Sequence, residues 1–80
     1  MDWDRLKTFY RIAQYGSFTN ASTGMHLSQP ALSRQIMSLE DSMGIRLFYR
    51  ESRGLTLTEE GKEWFDAVGE IYKKIEEKNI

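Results

Sequence analysis

The stretch that decides the fold is Ser28-Gln29-Pro30-Ala31-Leu32-Ser33-Arg34-Gln35-Ile36. Ser28 is a favoured helix N-cap, and Pro30 falls in the first turn, where its missing N–H costs nothing. Apolar residues then recur at helical spacing, at Leu32, Ile36, Leu39 and Met43. Gly44 suits the left-handed conformation that ends many helices. The pattern predicts a helix over 28–43 with one narrow buried stripe.

The face of this helix away from the apolar stripe is polar at its N-terminal half and contains no acid there. At about 100° per residue, Pro30, Arg34 and Met37 fall opposite the stripe, and Gln29 and Ser33 lie between. Glutamine and arginine can form bidentate contacts with adenine and guanine edges, and serine can bond a base or a phosphate. The helix N-terminus itself suits a phosphate. The face is a candidate DNA-reading surface, and the alternative is an ordinary solvated polar face.

Two shorter helices are predicted before this one. The first carries an apolar stripe, is capped by Asp2 or Asp4 and ends at Gly16. Its stripe consists of Trp3, Leu6, Phe9, Tyr10, Ile12 and Ala13. Ser17 is a candidate cap for the second, whose predicted buried face is Phe18, Ala21 and Met25. The few residues around His26 that join it to the next helix make the outline a helix-turn-helix, which alone does not separate DNA binding from plain packing.

A short ribbon is predicted after Gly44. The runs 46–50 and 55–57 favour strands, and the connection between them contains Gly54. The natural inward residues are Leu47, Leu55 and Leu57. Arg50 and Arg53 are candidate DNA contacts, because arginine at a hairpin tip can enter a narrow minor groove. Arg46, at the entry of the ribbon, is interpreted as a solvated arginine.

Thr58 is predicted to cap a long final helix, with two glutamates at the positive end of its dipole. Its apolar positions alternate between spacings of three and four: Trp64, Phe65, Val68, Ile71, Tyr72 and Ile75. About 20 residues would span about 30 Å, so we expect most of this helix to extend beyond a small globule. A second copy of the chain would then cover the stripe, which otherwise exposes a large apolar surface.

Composition bounds the function classes. The 80 residues form one domain, and the net charge of −1 hides a +2 balance over residues 1–53 (seven cations, five acids) and −3 beyond (four cations, seven acids). No cysteine and a single histidine argue against a metal centre, a catalytic triad or a disulfide framework. No apolar run reaches the length of a membrane span, and the N-terminus lacks the layout of a signal peptide. We therefore expect a cytoplasmic protein with no cofactor, no metal and no membrane partner.

At these residues the sequence resembles the LysR-type transcriptional regulators. The resemblance runs through Ser17-Phe18-Thr19, Ala21, the run 26–36, Leu39-Glu40, Gly44, Leu47-Phe48, Arg50, Arg53-Gly54, Leu57-Thr58 and Gly61, in one register without gaps. It departs from the common family pattern at Asn20, Ser22, Gly24, Arg46 and Tyr49. None of these departures lies on the groove-facing set.

The resemblance implies a mostly α fold: a winged helix-turn-helix over 1–58, with the helix-turn-helix at about 18–37 and the wing at about 46–57, followed by a dimerising linker helix over 59–80. It implies that the recognition helix contacts DNA through Ser28, Gln29, Pro30, Ser33, Arg34 and Met37. It assigns Arg50 and Arg53 to the wing, Ser17 and Thr19 to the DNA backbone, and the apolar stripe of the linker helix to the dimer interface. It also implies a larger C-terminal effector domain, outside these residues, that would bind any small-molecule effector.

The favoured function is therefore sequence-specific binding of double-stranded DNA by a homodimer, at an operator that is a rough inverted repeat. The modest charge leaves a second class open, a helical dimerisation or adaptor module that uses the aromatic stripe of the last helix. Catalysis is not expected, because the lone His26 lies in the inter-helix turn and the paired glutamates lie on a solvated helix.

Overall fold

The computed structural model describes residues 2–51 and 54–78 of the chain. Its element order is α1 (Trp3–Tyr15), α2 (Phe18–Met25), α3 (Gln29–Met43), β1 (Phe48–Glu51), β2 (Gly54–Leu57) and α4 (Glu59–Lys78). Three helices followed by a two-stranded antiparallel wing and a long helix confirm the predicted winged helix-turn-helix.

The helices begin and end at the residues that their caps predict. The side chains of Asp2, Ser17 and Ser28 accept hydrogen bonds from Asp4 N, Asn20 N and Ala31 N at 3.0, 3.0 and 3.2 Å. Gly16 and Gly44 end α1 and α3 with φ of 80° and 70°, which a left-handed cap requires. Local chemistry therefore sets the boundaries of all three core helices.

The turn between α2 and α3 is tight and internally bonded. His26 has φ 57°, and its N–H donates to Ser22 O, so it is the C-cap of α2. The Ser22 hydroxyl donates in turn to Leu27 O. This confirms the prediction that His26 has a capping role at the inter-helix turn.

The core lies between α1, α3 and the entry of the wing. Each of α1 and α3 contributes three buried apolar residues: Leu6, Phe9 and Ile12 from α1, and Leu32, Ile36 and Leu39 from α3. Leu47 and Phe48 close the core from the wing side, and the ring of Phe48 lies 5.4 Å from that of Phe9. The buried stripe of α3 is as predicted except that Met43 is only half-buried. The burial of Phe48 was not predicted.

The wing begins two residues later than predicted, at Phe48 rather than at position 46. The reason is that Leu47 bonds elsewhere: its N–H donates to a Glu40 carboxylate oxygen and its carbonyl accepts from Thr58 N. Phe48 pairs with Leu57 and Arg50 with Leu55 in the antiparallel register. Arg53, the predicted tip contact, lies outside the described residues.

The prediction for α4 needs a correction. Its cap is as expected, because Thr58 Oγ1 accepts from Gly61 N at 2.9 Å. Most of the helix does not extend beyond the globule, however: it packs along α1 as far as Tyr72, whereas residues 73–78 are exposed. Tyr10 stacks on both Phe65 (4.6 Å between ring centroids) and Tyr72 (5.1 Å).

The physical reason is that α1 has a second apolar face, formed by Trp3 and Tyr10, which covers part of α4. Val68 is 1% exposed, and Phe65 and Tyr72 are half-buried against the same core. The prediction that all six apolar residues of α4 form one exposed seam is therefore wrong for these three. Trp64 is half-buried, and Ile71 and Ile75 remain 44% and 46% exposed.

Among the described residues, no helix has the length and apolar character needed to cross a membrane. Over 2–51 and 54–78, no three side chains of the metal-ligating types come close enough together to hold an ion.

Candidate nucleic-acid interface

The N-terminal half of α3 faces solvent. Gln29, Pro30, Arg34 and Met37 are exposed, and the side chain of Ser33 is half-buried. This arrangement follows from the buried stripe, because Leu32, Ile36 and Leu39 fix the rotation of the helix about its axis. The candidate reading face therefore stands outside the core.

An open groove of about 970 Å³ brings most of the predicted contacts together. Eleven residues line it: Ser17, Phe18, Thr19, Ser22, Ser28, Gln29, Pro30, Ser33, Arg50, Gly54 and Leu55. They come from the N-terminus of α2, the N-terminus of α3 and both strands of the wing. Arg34 and Met37 do not line the groove; they lie on the outer side of α3.

Two helix N-termini open into this groove, each capped by a serine. The oxygens of Ser17 and Ser28 accept hydrogen bonds from backbone N–H groups of their own helices. Because a hydroxyl that accepts still carries its proton, each serine can donate to a phosphate oxygen. The positive dipole ends of α2 and α3 also favour a phosphate at these N-termini.

The charge of the groove suits an anion. Among the described residues that line it, none is acidic, and Arg50 is the cation. The final helix contains seven of the twelve acids in the chain, and none of those in its described part lines the groove. The local balance at the candidate interface thus differs from the net charge of −1.

Arg50 does not lie as predicted. Its guanidinium bonds back to the protein: Nη1 donates to Ser33 Oγ at 2.9 Å and Nη2 to Glu40 Oε1 at 3.4 Å. The guanidinium carbon also lies 5.5 Å from the ring centre of Phe18. β1 places Arg50 against α3 rather than at the hairpin tip, but it still lines the groove, so a DNA contact from Arg50 stays a prediction.

Glu40 is the residue of this region that sequence reasoning missed. It is only 5% exposed and pairs with Arg50. Its Oε2 accepts from Leu47 N at 2.7 Å and from Phe48 N at 3.4 Å. One signal was present in the sequence: at about 100° per residue, Glu40 lies directly beside the apolar stripe of α3.

Three helices, a capped exposed helix N-terminus and a wing beside it define the class of a winged helix-turn-helix DNA-binding domain. Residues 3–62 match the family described as bacterial regulatory helix-turn-helix proteins, lysR family. The chain belongs to this family, which confirms the resemblance carried by the sequence, and it is the DNA-binding domain of a transcriptional regulator.

Relatives and solved structures agree. The chain is 41% identical over 76 residues to the RuBisCO operon transcriptional regulator of Allochromatium vinosum, covering 91% of this chain and 25% of that protein. It is 43% identical over 72 residues to the glycine cleavage system transcriptional activator of Escherichia coli K12, covering 90% and 24%. The chain thus spans about a quarter of the length of these curated relatives.

Two structures illustrate the likeness in three dimensions. The full-length virulence activator AphB of Vibrio cholerae superposes with a TM-score of 0.88 at 30% identity, over 99% of this chain and 27% of that one. The DNA-binding domain of CbnR in complex with DNA superposes with a TM-score of 0.85 at 30% identity, over 99% of this chain and 91% of that one.

Proposed function

We propose that this chain reads a specific double-stranded DNA sequence by placing the N-terminal half of α3 in the major groove. The observation that carries the proposal is the exposed, acid-free start of α3 beside a groove that two capped helix N-termini share with the wing. A helix about 10–12 Å across fits the major groove of B-form DNA.

The side chains divide into two roles. Gln29, Ser33 and Arg34 present the hydrogen-bonding groups that distinguish base edges, and Pro30 and Met37 present apolar atoms suited to a thymine methyl group. Ser17, Thr19 and Ser28 present hydroxyls beside helix N-termini, where phosphate oxygens are favoured. Arg53 would approach the minor groove from the wing, as the family resemblance implies.

We further propose that the regulator binds as a homodimer through α4. The exposed apolar residues Ile71 and Ile75, with the half-buried Trp64 two and three turns earlier, leave one edge of α4 to cover. Two domains related by a two-fold axis would read an inverted repeat. A small-molecule effector would act through parts of the protein that lie outside these residues, and the site of action would be the cytoplasm, where bacterial DNA lies.

Selection of bound duplexes from a random pool, followed by sequencing, tests this function. We expect a two-fold symmetric motif whose half-sites lie one helical turn or a multiple apart. The matched control is the double variant Gln29→Ala/Arg34→Ala, which changes only exposed side chains and is expected to keep the fold but lose the motif. No enrichment and no DNA binding even at about 50 mM salt, where phosphate contacts are strong, would instead favour the adaptor module.

A further inference from the structure

The Ser33 hydroxyl on the reading face is already engaged by the protein. Its oxygen accepts a hydrogen bond from Arg50 Nη1 at 2.9 Å. Met37 Sδ, a weak acceptor, lies 4.0 Å from the same oxygen. One lone pair of the hydroxyl is therefore occupied by a cation, and its proton is only weakly used.

The arginine that engages Ser33 is itself fixed. Nη2 of Arg50 bonds to Glu40 Oε1, and the planar guanidinium lies near the ring of Phe18. Glu40 is held in turn, because its other oxygen accepts from Leu47 N and Phe48 N. A planar fork bonded at two nitrogens has a defined orientation that a lysine ammonium cannot reproduce.

We propose that Arg50 is a positioning residue of the reading face and that it makes Ser33 a hydrogen-bond donor to DNA. With one lone pair of its oxygen taken by Arg50, Ser33 keeps its proton and one lone pair. A hydroxyl that accepts from a cation is polarised toward donating, so its favoured partner on DNA is an acceptor: a phosphate oxygen or an acceptor atom on a base edge. The inference rests on the proposed function and assigns the chemistry of one of its contacts.

The competing role for Arg50 is a direct phosphate contact, and salt dependence separates the two. A cation that neutralises a phosphate contributes about 0.9 to the slope of log K against log salt, on specific and random DNA alike. A positioning residue changes the specific affinity and leaves that slope unaltered. The two roles therefore predict different salt slopes as well as different affinities.

The first experiment measures anisotropy titrations of a duplex selected by the wild-type chain and of a scrambled duplex of equal length, over a range of salt. For Arg50→Gln, which removes both the charge and the planar fork, we expect about tenfold weaker binding to the selected duplex, the size of one lost hydrogen bond to DNA. We expect no change on the scrambled duplex or in the slope. Lys73→Gln, which neutralises an exposed cation on α4, is the control for net charge.

The second experiment tests whether Arg50 acts through Ser33. We expect Ser33→Ala to weaken the selected duplex about tenfold, and the double variant Ser33→Ala/Arg50→Gln to bind no more weakly than Ser33→Ala alone. If the double variant instead bound about a hundredfold more weakly than the wild-type chain, the product of the two single effects, the two residues would act independently and the proposal would be overturned. Circular dichroism melts establish that each variant is folded at the temperature of the titration.

The third experiment identifies the acceptor. Duplexes with single 7-deazapurine substitutions lack one base acceptor, and duplexes with single methylphosphonates lack one charged phosphate oxygen. We expect one such DNA substitution to weaken binding by the wild-type chain and to leave binding by Ser33→Ala unchanged. If that substitution is a 7-deazapurine, Ser33 contacts a base; if it is a methylphosphonate, Ser33 contacts a phosphate. Ser33→Ala keeps the Glu40–Arg50 pair, so this experiment stands even if Arg50→Gln is too unstable to titrate.

The failures are distinguishable. If the wild-type chain selects no DNA, the proposed function fails. If the wild-type chain selects a motif but Arg50→Gln lowers the salt slope, or if Ser33→Ala stays sensitive to every DNA substitution, the function stands and the positioning role is overturned.

Discussion

At the scale of single residues, Arg34 is the proposed base contact that a single substitution tests most directly. It is exposed on the outer side of α3, with Nε donating to Pro30 O of its own helix at 3.4 Å. We expect Arg34→Ala to cost about 1–3 kcal/mol of binding free energy on the selected duplex, as for a lost bidentate base contact. Anisotropy titration on selected and random duplexes measures both losses.

Arg11→Ala is the matched control for that experiment, because Arg11 is an exposed arginine on α1 that does not line the groove. It is expected to change the specific affinity far less than Arg34→Ala. Equal weakening of Arg34→Ala on both duplexes would make Arg34 a phosphate contact instead.

Gly61 is the residue that fixes how closely α4 approaches the wing. A Cβ at this position would collide with the carbonyl oxygen of Leu47 and lie 3.2 Å from Leu57 Cδ2. Since a backbone atom cannot move aside cheaply, we expect Gly61→Ala to lower the free energy of unfolding by about 1–3 kcal/mol. Urea denaturation measures the change.

Gly69, in the same helix, provides the control for the Gly61 variant. A Cβ there would meet the Tyr10 hydroxyl at 3.3 Å, and that ring end can shift. Alanine also gains about 1 kcal/mol of helix propensity over glycine. Gly69→Ala should therefore be neutral or stabilising, and a similar loss for both variants would contradict the proposed close approach at Gly61.

At the scale of elements, the N-terminus of α3 combines stability and recognition in one residue. Ser28 Oγ accepts from Ala31 N at 3.2 Å and lines the groove. We expect Ser28→Ala to cost about 1 kcal/mol of stability through the lost cap. Ser28→Asp should keep the cap and the stability, yet bind DNA more weakly because a carboxylate would face phosphate. Thermal melts and anisotropy titrations measure the two effects separately, and stronger DNA binding by the aspartate variant would contradict a phosphate beside Ser28.

The starts of the core helices could be predicted from the sequence, whereas the position of β1 could not. Caps at Asp2, Ser17 and Ser28 act over three residues, so the starts of α1, α2 and α3 follow from local chemistry. The position of β1 does not, because Glu40 takes the N–H of Leu47 from seven residues away. A contact between elements leaves no periodic signal along the chain.

The reading face shows the same division. Exposure of Gln29, Pro30 and Arg34 follows from the phase of the apolar stripe, which the sequence displays. The pairing of Arg50 with Ser33 joins residues 17 apart and depends on how the wing folds back. The stripe of α4 misled in a similar way, because residues spaced for a dimer seam are equally spaced for packing on α1.

At the scale of the whole molecule, the wing is tied to the helical body at both strands. Arg50 of β1 bonds to α3, and Leu55 N of β2 donates to Gly16 O, at the junction of α1 and α2, at 3.4 Å. The wing and the recognition helix are therefore held in one arrangement before DNA arrives, which reduces the ordering cost of binding.

The edge of α4 that α1 leaves uncovered determines whether two such bodies act together. Ile71 and Ile75 are exposed one turn apart, and burying them against a second copy would stabilise a dimer. We expect Ile71→Lys to dissociate the dimer, because it places a charge in the centre of the apolar edge. Sedimentation measures the association state. Glu70→Lys introduces the same side chain at the neighbouring exposed position away from that edge and should leave the association unchanged.

DNA binding provides a second, independent test of this dimer interface. A dimer gains affinity on an inverted repeat because its second domain binds at high effective concentration. Ile71→Lys should therefore bind the full repeat many-fold more weakly than the wild-type chain but bind an isolated half-site equally well, since α3 and the groove are untouched. If Ile71→Lys stayed dimeric and kept its full affinity for the repeat, the uncovered edge of α4 would not be the surface that joins the two subunits.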